Sequence, residues 1–433
     1  MLIFSHTISP RLNYTVDFLA EYFRTAIRIT TKADEFASTA GIRINYSNQQ
    51  ITETEIWIKP VALLFQKDIS NVHINCFQHQ NNHKAFFANE GKTGFDLFAA
   101  IFFLLSRYEE YLPHTKDIYG RYAHQNSLAS QQEFLHQPLI NIWLEDFRKI
   151  IKQSYPDVDL PASDFKFIPT YDIDIAWSYR NKGVLRSAGG FGRSIIQGEW
   201  TKVKERINVL SKKSKDPFYS YDWMNEVHEQ FLLKPIYFFH VGEKRNNFDK
   251  NIPITNTELR DLIKTTAAQY STGLHPSWHS GDEASFLTKE KDILEEITKQ
   301  NIIFSRQHYI RFTLPDTFRK LIAAGITNDY SMGYGTINGF RASIASPFYW
   351  YDLEKDEATN LLIHPFCFMD ANSFYEQKFS PEEALEELFF YYTEIRKVNG
   401  TMITIWHNSF LGTDILYEGW KEIYLKFLQT INA

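Results

Sequence analysis

The stretch that decides the fold is Phe165-Lys-Phe-Ile-Pro-Thr-Tyr-Asp-Ile-Asp174. It predicts an apolar strand that ends in two carboxylates, Asp172 and Asp174, which lie on one side of an extended chain because they are two residues apart. Further strand-like runs follow it, and helical runs separate several of them. The strand-like runs are Phe165–Tyr171, Ile236–Val241, Ser271–His275, Ile302–Arg306, Ile326–Asp329, Leu361–Phe368 and Met402–Trp406, and the helical runs are Asn256–Gln269, Glu283–Gln300, Leu314–Ala324 and Pro381–Val398.

This alternation of strands and helices indicates an α/β fold with a parallel sheet, either open or closed. Seven predicted strands within residues 161–433 favour a distorted (β/α)7 barrel. Upstream, residues 1–160 mix short strand-like and helical runs, which predicts a smaller α/β domain without a recognisable enzyme motif. We place the boundary at the proline-containing joint Tyr155-Pro-Asp-Val-Asp-Leu-Pro161.

The composition excludes several classes of protein. Of the 433 residues, 46 are Lys or Arg and 52 are Asp or Glu, and the net charge of -6 argues against a nucleic-acid-binding protein. The two cysteines, Cys76 and Cys367, exclude a disulfide-built scaffold and a four-thiolate zinc site. The start lacks the pattern of a signal peptide, and the apolar run Leu97–Leu105 is far shorter than the roughly 20 residues of a spanning helix. We therefore expect a cytoplasmic protein with reduced cysteines.

One segment departs from the acidic average. Residues 180–215 contain ten basic residues against two glutamates, and apolar residues interleave with them at helical spacing, which predicts a basic helical insertion. Such a segment can dock on an anionic membrane surface at the inner face of the membrane or on an acidic glycan, or it can be a solvated insertion without a partner. Its basic residues are Arg180, Lys182, Arg186, Arg193, Lys202, Lys204, Arg206, Lys212, Lys213 and Lys215.

A metal-binding pattern follows the third predicted strand. The stretch Gly273-Leu-His-Pro-Ser-Trp-His279 places His275 and His279 four residues apart, which suits two imidazoles on one divalent ion but also fits two unrelated loop histidines. The carboxyl ends of the strands of a parallel barrel converge on one face, so the polar residues at those ends are expected to meet there. They are Asp172, Asp174, His275, His279, Arg306, Asp329 and His407.

The ordered set of strand-end motifs resembles the NodB-type polysaccharide deacetylases, carbohydrate esterase family 4. Thr170-Tyr-Asp-Ile-Asp174 is similar to the first motif of that family, a Thr-Phe-Asp-Asp run, although Ile173 separates the two carboxylates. The resemblance implies that Asp172 is the general base and that Asp174 binds the metal. His275-Pro-Ser-Trp-His279 resembles the second motif, which implies that both histidines are metal ligands, with Pro276 in place of the usual hydroxyl residue.

The remaining motifs of the family have looser counterparts. Arg306-Gln-His-Tyr309 resembles the third motif and implies that Arg306 positions the catalytic aspartate. Asp329 is similar to the aspartate of the fourth motif, and Ile405-Trp-His407 resembles the fifth, whose histidine is the general acid. Gly339-Phe-Arg341 and Pro365-Phe-Cys-Phe-Met-Asp370 resemble a divergent branch that carries an added N-terminal domain and is found near bacterial surface-polysaccharide genes. The residues expected to bind substrate are Trp278, His308, Tyr309, Asp329 and Arg341.

The resemblance implies a metal-dependent hydrolase that removes N-acetyl groups from a saccharide. A ligand set of two imidazoles and one carboxylate suits zinc, and it also permits cobalt, nickel or iron. Two alternatives stay open from the residues alone: a hydrolase of the same fold that acts on another amide or ester, and a non-catalytic module that binds a glycan or a membrane.

Overall fold

The computed structural model describes residues 1–432, without the side chains of residues 184–186, so the side chain of Arg186 lies outside the described set. The strands are β1 (Leu2–Phe4), β2 (Arg28–Thr30), β3 (Arg43–Tyr46), β4 (Ile56–Ile58), β5 (Phe77–Gln78), β6 (Lys84–Ala85), β7 (Lys166–Ile173), β8 (Ile236–Phe239), β9 (Ser271–Leu274), β10 (Phe304–Ser305), β11 (Asn328–Asp329), β12 (Phe348–Asp352), β13 (Glu357–Ile363), β14 (Phe368–Met369) and β15 (Thr401–His407). The α-helices are α1 (Pro10–Tyr22), α2 (Ala33–Ser38), α3 (Leu97–Leu105), α4 (Leu128–Gln131), α5 (Leu139–Ser154), α6 (Val184–Ile196), α7 (Trp200–Leu210), α8 (Tyr221–Gln230), α9 (Thr257–Ala267), α10 (Trp278–Asp282), α11 (Ala284–Thr298), α12 (Asp316–Ala323), α13 (Pro381–Lys397) and α14 (Trp420–Ile431). Shorter helical turns cover Ala62–Phe65, Gln80–Asn82, Tyr108–Tyr111, His124–Asn126, His308–Ile310, Asn372–Glu376 and Ile415–Tyr417.

A parallel four-stranded sheet organises the N-terminal part (residues 1–160), in the order β2-β1-β3-β4. Helix α1 begins after Ser9, whose side chain accepts a hydrogen bond from the Leu12 N–H, and Pro10 occupies the first helical turn, where its missing N–H has no partner to lose. Every residue of α3 is buried, and its N-cap Asp96 accepts a hydrogen bond from the Ala99 N–H at 3.0 Å. The apolar run Leu97–Leu105 is therefore a core helix.

A nine-stranded sheet carries the rest of the chain, in the order β12-β13-β11-β10-β9-β8-β7-β15-β14. All neighbouring pairs are parallel except β12 and β13, which pair antiparallel. The predicted parallel α/β architecture is thus present. The predicted strand Leu361–Phe368 is divided into β13 and β14. Pro365 lies between them, and a proline cannot donate to a sheet ladder.

The predicted closure into a barrel is not found. Within the described residues, β12 and β14 are the edges of the sheet and are not hydrogen-bonded to each other. At these edges β14 pairs over only two residues, both with β15, and helices α1 and α3 pack against the β12–β13 hairpin. There the ring of Tyr351 packs against Tyr14 and Phe102 at centroid distances of 4.9 and 5.1 Å.

The N-terminal part and the large sheet share one buried core. A continuous cluster of buried apolar side chains runs through both. A buried ion pair also joins them, since Arg341 donates to both carboxylate oxygens of Glu110 at 2.9 and 2.6 Å. The domain boundary at residue 160 stays a prediction. Among residues 1–432, no helix has both the length and the apolar character needed to cross a bilayer.

Candidate metal centre and active site

The candidate site is a cavity of about 450 Å³ at the carboxyl ends of the central parallel strands. Ligands of open α/β sheets bind at this edge, because the loops that follow the strands converge there. Asp172 lies on β7, and His407 is the last residue of the neighbouring β15, directly opposite Asp172 in the strand register. Asp174, His275 and His308 complete the polar floor of the cavity.

Asp174, His275 and His308 form a group that can hold a metal ion. Their potential ligand atoms all lie within 4.8 Å of one another. One carboxylate oxygen of Asp174 is 3.0 Å from His275 Nε2, and the other is 3.5 Å from His308 Nε2. Two imidazole nitrogens and one carboxylate oxygen are the donors found at catalytic zinc sites, which keep a further position open.

The other ring nitrogens of both histidines are already engaged. His275 Nδ1 donates to the carbonyl oxygen of Arg306 at 2.6 Å, and His308 Nδ1 donates to Asp249 at 3.1 Å. Such contacts fix the tautomer and direct Nε2 toward the metal. Two Nε2 atoms aimed at one carboxylate fit a shared cation, so the residues present suit a divalent metal.

The charged side chains of this group shift one another's pKa values. Burial acts to raise the pKa of Asp174, but the cationic forms of His308 and His275 outweigh it and hold the pKa well below its usual value. Burial acts to lower the pKa of His308, but the carboxylates of Asp174 and Asp249 outweigh it and raise the pKa to about 9. A metal ion that binds here must displace the His308 proton, so metal binding is expected to release protons.

A second group, formed by His240, Asp249 and His308, lies beside the first. Burial lowers the pKa of His240 to about 4, which keeps its imidazole neutral. Asp174, His275 and His308 line the cavity, whereas His240 and Asp249 do not. The first group is thus the one that a substrate can reach, and Asp249 supports His308 from behind.

The structure does not bring the predicted ligand His279 into either group. His279 lies on the short helix α10, which begins at Trp278 with Ser277 as its N-cap, and its ring faces Phe286 at 6.2 Å. The spacing of four residues places two histidines on one face only within a continuous helix. His275 precedes that helix, so the spacing does not apply, and His308 rather than His279 lies in the group with Asp174 and His275.

Asp172 and Arg306 form a buried pair at the floor of the cavity. Arg306 Nη1 donates to Asp172 at 2.8 Å, and Arg306 Nε donates to the carbonyl oxygen of Tyr330 at 3.0 Å. The guanidinium also lies over the ring of Phe238, 4.4 Å from its centroid. The second oxygen of Asp172 lies 3.9 Å from His275 Nε2, beside the candidate metal position. A carboxylate held in this way can accept a proton from a water molecule bound there.

His407 also lies next to the candidate metal position. Its Nδ1 donates to Asp370 at 2.6 Å, and its backbone N–H donates to the other oxygen of Asp370 at 2.7 Å. Its Nε2 lies 3.6 Å from Asp174. Burial acts to lower the pKa of His407, but the carboxylates, Asp370 first among them, raise it to about 10. His407 is therefore protonated at neutral pH and can donate a proton.

Aromatic side chains form one wall of the cavity. Tyr119, Phe248 and Tyr309 line it, and the ring of Phe248 stacks on that of Trp278 at 3.9 Å. Trp278 itself does not belong to the lining residues. It lies behind Phe248, with the Arg311 guanidinium 4.3 Å from its ring, so its predicted substrate contact is replaced by a supporting one.

The N-terminal part contributes Tyr119 to this wall through a tight turn. The side chain of Asp117 accepts hydrogen bonds from the N–H groups of Tyr119 and Arg121, and it pairs with the Arg121 guanidinium at 2.6 Å. Arg121 reaches across to donate to the carbonyl oxygen of Tyr309 at 2.6 Å. This reach requires Gly335, since a Cβ there would lie 1.9 Å from Arg121 Nη1.

Two predicted substrate-binding residues lie away from the cavity. Asp329 is fully buried and accepts hydrogen bonds from the Ser305 hydroxyl at 2.7 Å and from the Ser331 N–H at 2.8 Å. Arg341 is buried against Glu110, and its guanidinium lies 4.0 Å from the Phe312 ring. Both side chains have their polar atoms satisfied inside the protein, so they stabilise the fold around the site.

Sequence reasoning missed Asp249, Phe248 and the turn that carries Tyr119. It noted the strand end Pro365-Phe-Cys-Phe-Met-Asp370 but gave Asp370 no role, because the spacing does not show that Asp370 contacts His407. The turn has the Asp-x-x-Gly pattern of a β-turn, which predicts a loop but not where that loop lies. Asp249 and Phe248 follow β8 in an irregular segment that carries no periodic signal.

A comparison with protein-family models matches residues 1–156 to a family of unknown function, DUF7033. This match covers most of the N-terminal part, including the turn that supplies Tyr119. Among curated proteins, no sequence matches the chain.

Solved structures of three polysaccharide deacetylases or proteins assigned as such are similar to this chain. The Mycobacterium smegmatis protein has a TM-score of 0.41 and 14% identity, over 64% of this chain and 87% of its own. The Pseudomonas aeruginosa PAO1 protein has a TM-score of 0.37 and 11% identity, over 62% of this chain and 84% of its own. Bc1974 from Bacillus cereus has a TM-score of 0.31 and 12% identity, over 62% and 88%. These TM-scores are low, so the function proposed below rests on the geometry of the cavity.

Proposed function

We propose that the protein is a metal-dependent hydrolase that removes N-acetyl groups from a saccharide in the metabolism of bacterial surface polysaccharides. The observation that carries this proposal is the convergence of three chemical elements on one cavity. They are a group of side chains that can bind a metal ion, a carboxylate held by an arginine (Asp172), and a histidine held by a carboxylate (His407). The order of the strand-end motifs, which resembles that of the NodB-type deacetylases, supports the same reaction.

The proposed metal ligands are Asp174, His275 and His308. A divalent ion, zinc by preference, supplies Lewis-acid polarisation of the acetyl carbonyl and lowers the pKa of a water molecule. Asp249 and the carbonyl oxygen of Arg306 hold the two imidazoles in the orientation that the ion requires.

Two side chains move the protons of the reaction. Asp172, held in place by Arg306, accepts the proton of the attacking water as the new C–O bond forms. His407, kept protonated by Asp370, donates its proton to the nitrogen of the amino sugar as the C–N bond breaks. The products are acetate and a free amino sugar. The wall formed by Tyr119, Phe248 and Tyr309 offers faces on which a sugar ring can stack.

Acetate release from N-acetylglucosamine oligomers tests the reaction, and the metal content of the purified protein tests the site. We expect one divalent ion per chain, full loss of turnover in His407→Ala with the metal retained, and loss of the metal in His308→Ala. A protein that carries the metal but releases acetate only from other amides or esters would indicate the second class of hydrolase. A protein without bound metal and without any acyl hydrolase activity would indicate the non-catalytic module.

A further inference from the structure

The exposed apolar side chains of this protein concentrate on the segment of residues 180–215, which we call the basic hairpin. Helices α6 and α7 form its two arms, and residues 197–199 form the turn between them. At this turn Ile196 is 88% exposed and Trp200 is 65% exposed. Ile195, Ile207 and Leu210 are also exposed. A group of large apolar side chains exposed to solvent indicates an interaction surface.

The inner side of the basic hairpin is already filled. Arg206 of α7 donates to the carbonyl oxygen of Ser187 in α6 at 3.1 Å, and its guanidinium lies 4.8 Å from the ring of Tyr179. A Cβ at Gly190 would lie 2.2 Å from Arg206 Nη1, so the Arg206 guanidinium fills the space beside this glycine. The exposed apolar residues therefore belong to the outer surface and the tip.

The same hairpin is rich in positive charge. The basic hairpin contains ten basic residues and two glutamates, although the whole chain has a net charge of -6. Lys204, Lys212 and Lys213 are exposed. A soluble acidic glycan would explain the charge, and an apolar groove of a protein partner would explain the apolar tip. An anionic bilayer explains both, because its headgroups attract lysines and its interface accepts tryptophan and isoleucine.

The base of the basic hairpin is fixed to the rim of the catalytic cavity. The Asp216 carboxylate accepts hydrogen bonds from the N–H groups of Ser178, Tyr179 and Arg180 at 2.7, 2.8 and 2.9 Å. It also accepts one from the N–H of Phe218, a residue that lines the cavity. We propose that the basic hairpin docks the protein on an anionic lipid bilayer, with Ile196 and Trp200 inserted at the interface and the lysines against the headgroups.

Vesicle co-sedimentation of the full-length protein tests this proposal. We expect salt-sensitive binding to vesicles that contain phosphatidylglycerol, and little binding to phosphatidylcholine alone. Neutralising Lys204, Lys212 and Lys213 to glutamine should weaken binding by about fivefold per lysine. The matched control is the glutamine variant of three exposed lysines elsewhere, Lys67, Lys92 and Lys264, which should bind as the wild type does.

The apolar tip is tested separately. Ile196→Ser with Trp200→Ser should abolish binding, whereas Leu232→Ser, which removes a side chain that is 86% exposed, should not change it. Lipids with brominated chains should quench the tryptophan fluorescence of the wild type more than that of Trp200→Phe. Equal vesicle binding by the tip variant, or binding to a soluble acidic polysaccharide without binding to vesicles, would overturn the proposal. Neither result depends on hydrolase activity.

Discussion

Asp249 does not line the cavity, but we expect it to control the affinity of the site for a metal ion. Its carboxylate accepts a hydrogen bond from His308 Nδ1 at 3.1 Å and from the Trp278 N–H at 3.0 Å, and it is fully buried. Asp249→Asn keeps the shape of the side chain and one oxygen acceptor, but it removes the negative charge. His308 then loses the charged partner that fixes the orientation of its ring.

The size of the effect follows from this contact. A hydrogen bond to a charged group contributes about 1.5–3 kcal/mol, which corresponds to about 10–100-fold in a binding constant. Carboxylates that hold a metal-bound histidine have effects of the same size on metal affinity. We therefore expect Asp249→Asn to bind zinc about 10–100-fold more weakly than the wild type, with Asp174, His275 and His308 all still present.

Competition with a chromophoric zinc chelator, at one pH, measures this affinity on the apo protein. Asp282→Asn is the matched control, because Asp282 carries the same charge on α10 but pairs with Arg311 on the surface. His279→Ala should also keep its affinity, whereas His308→Ala should lose it. The reasoning is refuted if folded Asp249→Asn binds zinc within about twofold of the wild type, or if His279→Ala loses the metal and His308→Ala does not.

Three further predictions concern stability and substrate. Burial acts to raise the pKa of Glu110, but Arg341 and Arg107 outweigh it and hold the pKa at about 2; Glu110→Gln, which breaks this buried pairing, should cost about 3–5 kcal/mol in urea unfolding. Tyr119→Ala should raise KM for N-acetylglucosamine oligomers by about two- to tenfold, the loss of one aromatic contact of about 0.5–1.5 kcal/mol. Burial raises the pKa of Glu290 to about 7 from 4.5, so its contribution to stability is complete below pH 4.5 and is lost as the pH rises through 7. Glu290→Gln should remove this slope from the pH dependence of unfolding.

Each of these three has its own control. Glu354→Gln breaks an exposed ion pair with Arg319 and should cost far less than Glu110→Gln; equal costs would contradict the assigned role of the buried pair. Tyr119→Phe should keep the wild-type KM, and an unchanged KM in Tyr119→Ala would remove Tyr119 from the substrate wall. For Glu290, the difference between variant and wild type must grow between pH 4.5 and 7, and a constant difference would contradict the raised pKa.

The amino-acid sequence by itself determined the chemistry at the strand ends. Of the seven residues predicted to converge, Asp172, Asp174, His275 and His407 line one cavity, and Arg306 holds Asp172 from below. His279 and Asp329 do not line it. The physical reason is local: an apolar run fixes a strand, parallel strands align their carboxyl ends, and polar side chains that end the central strands are brought to that edge. The alignment of the strand ends is the same in an open and in a closed parallel sheet. The predicted convergence therefore does not depend on closure between β12 and β14.

Only the tertiary structure decided which histidine completes the candidate metal group and what surrounds it. His308 lies on a helical turn after β10, and its supporting carboxylate, Asp249, is 59 residues away along the chain. Tyr119 belongs to the N-terminal part, and the contact between Arg121 and the carbonyl oxygen of Tyr309 holds its turn at the cavity. These contacts depend on how distant segments pack against each other. Periodicity and motif spacing depend only on residues that are close along the chain. They therefore cannot predict which distant loops contact each other above the sheet.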